Sequence, residues 1–266
     1  MRRVRAAWRL SRICVHLLHG LAVIRLRFAS LDAAGRQQRI QWWSAKLVRL
    51  AGVELRCNGT PRPGPTLLLA NHISWLDIAV IHAVAPRARF VSKAEVLKWP
   101  LLGRLVAGAG TLFIERERKR DALRVLHQVA ASLRAGDMVA VFPEGTTGNG
   151  RDLLPFHANL LQAAIGTGTP VQGVVLRYND ARHRYSPAVE FLGDTTLLQT
   201  VWRMLSTPGL CVDVDVLSPQ GARHADRRAL AQYMHDSIAE RLQHGDSPPP
   251  PAAGDAVMPP SLSRIS

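Results

Sequence analysis

At 266 residues and 29.2 kDa, with 47% hydrophobic and 20% charged residues, the chain can bury one sizeable core, and wholesale disorder, a collagen-like repeat and a coiled-coil fibre are excluded. Cys14, Cys57 and Cys211 form no Cys-x-x-Cys pair, which removes a zinc ribbon, a thioredoxin-type motif and a disulfide framework and points to a reducing compartment. A net charge of +14 draws the protein to polyanions, either nucleic acid or an anionic membrane surface.

The distribution of charge separates these two. Residues 1–50 carry eleven basic residues against the single acid Asp32, ten of the fourteen excess charges. The same segment holds the apolar run Ile13 to Ile24 between Arg12 and Arg25, with Trp8, Phe28, Trp42 and Trp43 nearby. Twelve helical residues reach only about 18 Å, short of the roughly 30 Å of hydrocarbon in a bilayer. Residues 1–50 therefore read as a basic amphipathic helical segment lying on a membrane; a helix packed on the core is the plainer alternative. No small-residue cleavage site follows Ile24, which disfavours export.

From Val53 onward short apolar runs alternate with helical patterns, the arrangement of an α/β sheet. Strands are expected near 67–70, 88–91, 111–114, 138–142, 171–178, 188–192 and 210–217, and helices near 75–84, 119–135, 156–167 and 223–243. In the last strand Asp213 and Asp215 alternate with valines, which places both acids on a solvent face. Residues 51–244 form the globular domain. The stretch 245–266, rich in Pro, Gly, Ala and Ser, reads as a disordered tail.

Three strand ends carry chemistry. After Ala70 comes Asn71-His72-Ile73-Ser74-Trp75-Leu76-Asp77, in which Ser74 and Asp77 have the spacing of a capping box that turns Asp77 back toward His72. A carboxylate accepting from one imidazole nitrogen fixes the tautomer and frees the other nitrogen as a base. Taken alone the spacing is common, and a capping Asp beside a loop His is its ordinary explanation; emergence at the carboxyl end of a strand, where ligands of open α/β sheets bind, favours a site. Next, Thr111 to Ile114 runs into Glu115, Arg116 and further bases, so that Arg116 is either an anion ligand or part of a solvated helix start. Lastly, Phe142-Pro143-Glu144-Gly145-Thr146 ends a strand in a turn, where Glu144 reads as too exposed for a packing role.

In order and spacing, Asn71-His72-x4-Asp77, Gly110-x-x-Phe113-Ile114-x-Arg116, Phe142-Pro143-Glu144-Gly145-Thr146 and Thr169-Pro170-Val171 resemble the four blocks of the glycerolipid acyltransferases, especially bacterial 1-acylglycerol-3-phosphate acyltransferases. The resemblance implies a mixed, mostly parallel sheet flanked by helices. It also implies acyl transfer from acyl-CoA or acyl carrier protein to the hydroxyl of a lysolipid, with 1-acylglycerol-3-phosphate the first candidate. His72 would be the base and Asp77 its partner; Arg116 would hold an acceptor phosphate, Glu144, Gly145 and Thr146 would shape the acceptor site, and Lys93 is a further candidate. Neither cofactor nor metal is implied. Thr147 and His157 stand where the family often has Arg or Ser and Lys, which brings in lyso-ornithine lipid as an alternative acceptor. Backbone N–H groups near Ser74 would be available to the thioester oxygen. With the basic N-terminus, the expected location is the cytoplasmic face of a bacterial inner membrane.

His72, Asp77, Glu144 and His157 lack the His-Glu-x-x-His spacing of a metal site, and no Gly-x-Ser-x-Gly elbow marks a hydrolase. The rival from another class is a non-catalytic basic module binding membrane or nucleic acid. Aromatics interleaved with bases, which single-strand binding requires, occur only in the N-terminal segment, so no nucleic-acid partner is expected.

Overall fold

The computed structural model describes residues 2–99, 102–114 and 119–244. Seven strands, β1 (Val53–Asn58), β2 (Thr66–Ala70), β3 (Ala88–Lys93), β4 (Leu112–Ile114), β5 (Met138–Val141), β6 (Val171–Asn179) and β7 (Leu210–Val216), form one sheet in the order β1-β7-β6-β2-β5-β3-β4. The five strands from β6 to β4 are parallel; β7 is antiparallel to β6 and parallel to β1. The mixed, mostly parallel α/β architecture is thus as expected.

Helices cover both faces, which explains why the central strands read as unbroken apolar runs. In β2 the pleat sends Leu68 and Ala70 to one face and Leu67 and Leu69 to the other. The first face packs against α1 (Arg2–Leu26), α2 (Ala33–Ala51), α3 (Asp77–Val84) and α7 (Leu197–Ser206). The second packs against α5 (Lys119–Arg134), α6 (Leu161–Thr167) and α8 (Arg227–Gln243), while the short α4 (Leu102–Gly108) lies against α1. Leu67, Leu68 and Leu69 are fully buried, so truncating any one to Ala costs about 2–5 kcal/mol.

Residues 1–50 contribute directly to this core. Ala6 and Ile13 of α1 and Leu47, Val48 and Leu50 of α2 join the same apolar cluster as the strands. The opposite side of α1 exposes Val4, Trp8, Val15 and Leu18, all more than half accessible and spaced as one helical stripe. Arg9 clasps α1 onto the fold by donating to Leu205 O at the end of α7 (3.0 Å). No helix among the described residues is long and apolar enough to cross a membrane.

Three details differ from the expectations. Residues 188–192 are irregular rather than a strand: β6 is already paired on both sides, and the segment instead folds over the end of β2, with Phe191 N–H donating to Ile73 O (3.3 Å). Asp215 is buried and Asp213 only half-buried, rather than both facing solvent. Arg241 of α8 donates to Asp215 (2.7 Å), and Asn179 of the neighbouring β6 donates to Asp213 (2.6 Å). Finally, β1, α4 and α7 are not among the expected elements; Glu54, Arg56 and Asn58 break up the apolar signal of β1. The Pro-rich stretch 245–266 lies outside the described residues.

Candidate active site

β2 lies at the centre of the sheet, and its carboxyl end is where the chain parts. The connection through α3 leaves over one face and that through α6, between β5 and β6, returns over the other. Such a division opens a crevice at the strand ends. Asn71 carries the ladder one residue further: its amide donates to Leu176 O (2.9 Å) and accepts from Leu176 N–H (2.7 Å) on β6. The chain is thereby held firmly just before His72.

The loop from His72 to Asp77 is organised by one carboxylate. Asp77, fully buried at the start of α3, accepts through Oδ2 from His72 Nδ1 (2.8 Å), Ile73 N–H (2.7 Å) and Ser74 N–H (2.9 Å). Its Oδ1 accepts from the Tyr178 hydroxyl on β6 (2.8 Å). A carboxylate with these neighbours can only accept, so Nδ1 carries the imidazole proton and Nε2 presents a lone pair. Nε2 has no protein hydrogen-bond partner among the described residues, and the side chain keeps 19% of its accessibility. Half of the expected capping box is present, since Asp77 reaches back to Ser74 N–H. The other half differs: the Ser74 hydroxyl accepts from Leu76 N–H (3.4 Å), and Asp77 N–H donates to Ser74 O (3.1 Å).

Phe142, the residue after β5, stacks on the His72 ring with centroids 3.9 Å apart and an interplanar angle of 10°. It stacks in turn on Phe90 (5.6 Å), giving the imidazole an apolar backing that fixes its plane. Beside it, Glu144 is buried rather than exposed, a correction to the sequence reading. Oε1 accepts from His72 N–H (2.8 Å) and Oε2 from Leu154 N–H (2.9 Å). Burial pushes its carboxyl above the usual carboxylate range, opposed by these two N–H groups. Glu144 thus ties the backbone of His72 to that of Leu154, and both of its oxygens are engaged in doing so.

Gly145 has a left-handed backbone (φ 74°), and a Cβ there would lie 3.0 Å from the His157 ring. Thr146 and His157 are exposed at this rim, while the Thr147 hydroxyl donates to Phe191 O. Gly148 N–H closes the loop onto His72 O (2.7 Å). The N–H groups of Ile73, Ser74, Leu76 and Asp77 are spent within the loop and that of His72 on Glu144, so these five are not available to a thioester oxygen. Lys93 ends β3 opposite Ile114, but its side chain, like the whole of Arg116, lies outside the described residues. Among the described residues no cluster of His, Cys, Asp and Glu has the arrangement of a metal site.

The structure therefore brings together His72, Asp77 and Glu144, with Gly145 and Thr146 at the rim. It adds Tyr178, Asn71 and Phe142, which the sequence reading assigned no role. Of these, Asn71 could have been found, because a polar residue ending a buried strand must satisfy its amide somewhere.

The profile of the Acyltransferase family matches residues 54–177. The chain is 37% identical over 246 residues to the lyso-ornithine lipid O-acyltransferase of Pseudomonas aeruginosa, covering 90% of this chain and 93% of that protein. It is 38% identical over 188 residues to the 1-acyl-sn-glycerol-3-phosphate acyltransferase of Neisseria gonorrhoeae, covering 70% of this chain and 73% of that one. The crystal structure of the 1-acyl-sn-glycerophosphate acyltransferase PlsC from Thermotoga maritima has the same fold, with a TM-score of 0.68 over 93% of this chain and 98% of that one at 18% identity.

Proposed function

The chain belongs to the acyltransferase family, and from that premise we propose that it moves a fatty acyl group from acyl-CoA or acyl carrier protein to the free hydroxyl of a lysolipid. The observation that carries this reading is the His72–Asp77 pair: Nδ1 donates to a buried carboxylate and Nε2 is left to accept a proton. Nε2 takes the hydroxyl proton as the oxygen attacks the thioester carbonyl. The C–O bond forms, the tetrahedral intermediate expels the thiolate as the C–S bond breaks, and the imidazolium returns its proton to sulfur. Removing the proton in the transition state is worth ~10² to 10⁴ in rate. Asp77 stabilises the imidazolium, and Phe142 and Glu144 hold the ring and its backbone in place.

The acceptor has two readings. Arg116 as a phosphate ligand supports 1-acylglycerol-3-phosphate. Two observations favour lyso-ornithine lipid: the rim offers Thr147, whose hydroxyl is engaged with Phe191 O, and the exposed His157, so neither position supplies a permanent cation. The Pseudomonas aeruginosa relative carrying that name aligns with nearly the whole chain. The protein works at the cytoplasmic face of a membrane, with the apolar stripe of α1 against the lipid and the basic N-terminal residues on anionic headgroups, each worth about 1 kcal/mol.

Purified full-length protein with a long-chain acyl thioester tests this. Thiol release is expected only when a lysolipid is added, and His72→Ala should abolish it with thermal stability unchanged. Release without an acceptor, or turnover that survives His72→Ala, overturns the reading. Parallel assays with 1-acylglycerol-3-phosphate and lyso-ornithine lipid decide between the acceptors.

A further inference from the structure

Tyr178 is fully buried on β6, one hundred and one residues from Asp77 in sequence, and spends its hydroxyl on the one carboxylate oxygen that does not touch the catalytic loop. We infer that Tyr178 is a positioning residue that sets the basicity of His72 by withdrawing charge from Asp77. The inference rests on the base role proposed for His72.

The geometry divides the labour of Asp77. Oδ2 holds His72 Nδ1 and two backbone N–H groups; Oδ1 has Tyr178 as its hydrogen-bond partner. A donor on Oδ1 draws negative charge away from Oδ2, so an imidazolium at Nδ1 is stabilised less, and the imidazole stays free of its second proton at lower pH. The hydroxyl is suited to the task because it remains a donor: burial, followed by the charge and hydrogen bond of Asp77, pushes its ionisation well above the ordinary tyrosine value.

Other ionisable groups nearby do not substitute for it. Glu144, from the loop after β5, acts on both His72 and Asp77, but its oxygens are engaged by backbone N–H groups. His82 of α3 packs edge-on against Phe90 and is kept neutral, its pKa pushed down to about 4 by burial. Arg177 and Asp213 pair with each other at 3.6 Å, and the pleat of β6 turns Arg177 to the opposite face from Tyr178.

The test is the pH dependence of kcat/KM for full-length protein with an acyl thioester and the better lysolipid. In Tyr178→Phe the limb that falls toward acid should move up by about 0.5–1 pH unit, as expected for loss of one hydrogen bond to the partner carboxylate. KM for both substrates should stay within about twofold, because Tyr178 lies behind Asp77 and touches neither. The chain has only three tyrosines, so global 3-fluorotyrosine provides a second measurement that does not depend on folding of the Phe variant: a stronger donor should move the limb toward lower pH. A uniform loss with superimposed profiles, or a fluorotyrosine limb that does not move, overturns the inference. His72→Ala measured alongside separates the two readings. If it retains wild-type turnover, the base assignment fails and the Tyr178 inference with it; if it is inactive and the Tyr178 profiles superimpose, only the Tyr178 inference fails.

Discussion

Asp77→Asn isolates the charge of the carboxylate from its geometry. The three donors converging on Oδ2, His72 Nδ1 and the N–H groups of Ile73 and Ser74, can be met only by an oxygen, so the Asn carbonyl is forced to that side. The amide nitrogen then faces Tyr178, whose hydroxyl can rotate to accept. Imidazole tautomer and plane are preserved, and only the stabilisation of the imidazolium is lost. With charge centres roughly 4 Å apart and an effective dielectric of about 20, that loss is about 4 kcal/mol, close to 10³-fold in rate. Thermal unfolding should change little. Asp77→Ala, by contrast, leaves the Tyr178 hydroxyl and two backbone N–H groups without acceptors, each costing about 1–3 kcal/mol, and should lower stability as well as rate. Thiol release under saturating acceptor, with a thermal melt on each variant, makes the comparison. Asp77→Asn active to within tenfold of wild type would mean that the charge is unused. Equal losses of stability in both variants would mean that the amide cannot adopt the argued orientation.

Glu144 yields a pH prediction with a defined sign. Its folded value is raised, so between the ordinary carboxylate range and that value the folded chain holds a proton that the unfolded chain has released, and this group's contribution to stability falls as pH rises. Urea unfolding at pH 4 and pH 7 should therefore show Glu144→Gln gaining on wild type at the higher pH; parallel stabilities would contradict the burial argument. Trp8→Glu combined with Val15→Glu should weaken binding to anionic vesicles several-fold at unchanged thermal stability, since both side chains are exposed on α1; a lowered melting temperature would show that the stripe is packed. Arg116→Ala should raise KM for a phosphate-bearing acceptor more than KM for the thioester, and an equal rise in both would count against phosphate binding.

What was legible in the sequence is what short-range physics controls. The runs 67–70 and 138–141 announce buried strands because both sheet faces are covered, and His72 and Asp77 fall together because a strand-to-helix turn leaves them one loop apart. Misreadings occur where a distant element decides the environment. Glu144 sits in a Pro-Gly turn that looks exposed from neighbouring residues, yet His72 N–H and Leu154 N–H close on it from either side. Asp215 alternates with valines as a solvent-facing residue should, but α8, more than ten residues further on, brings Arg241 over it. Alternation reports that two faces differ; it does not say what covers the second.

The same distinction explains how the candidate site is built. The orientation of His72 comes from a local loop whose N–H groups converge on Asp77, and a loop of that kind alone would fray, because it ends on a helix of only eight residues. Long-range contacts supply the rigidity: Asn71 anchors the loop to β6, Glu144 ties its backbone to the turn after β5, and Phe142 backs the ring. Loss of any one of these should loosen the imidazole without removing it. Their substitutions are therefore expected to lower kcat by less than His72→Ala does, while leaving intact the hydrogen bond between Nδ1 and Asp77 on which the proposed proton transfer depends.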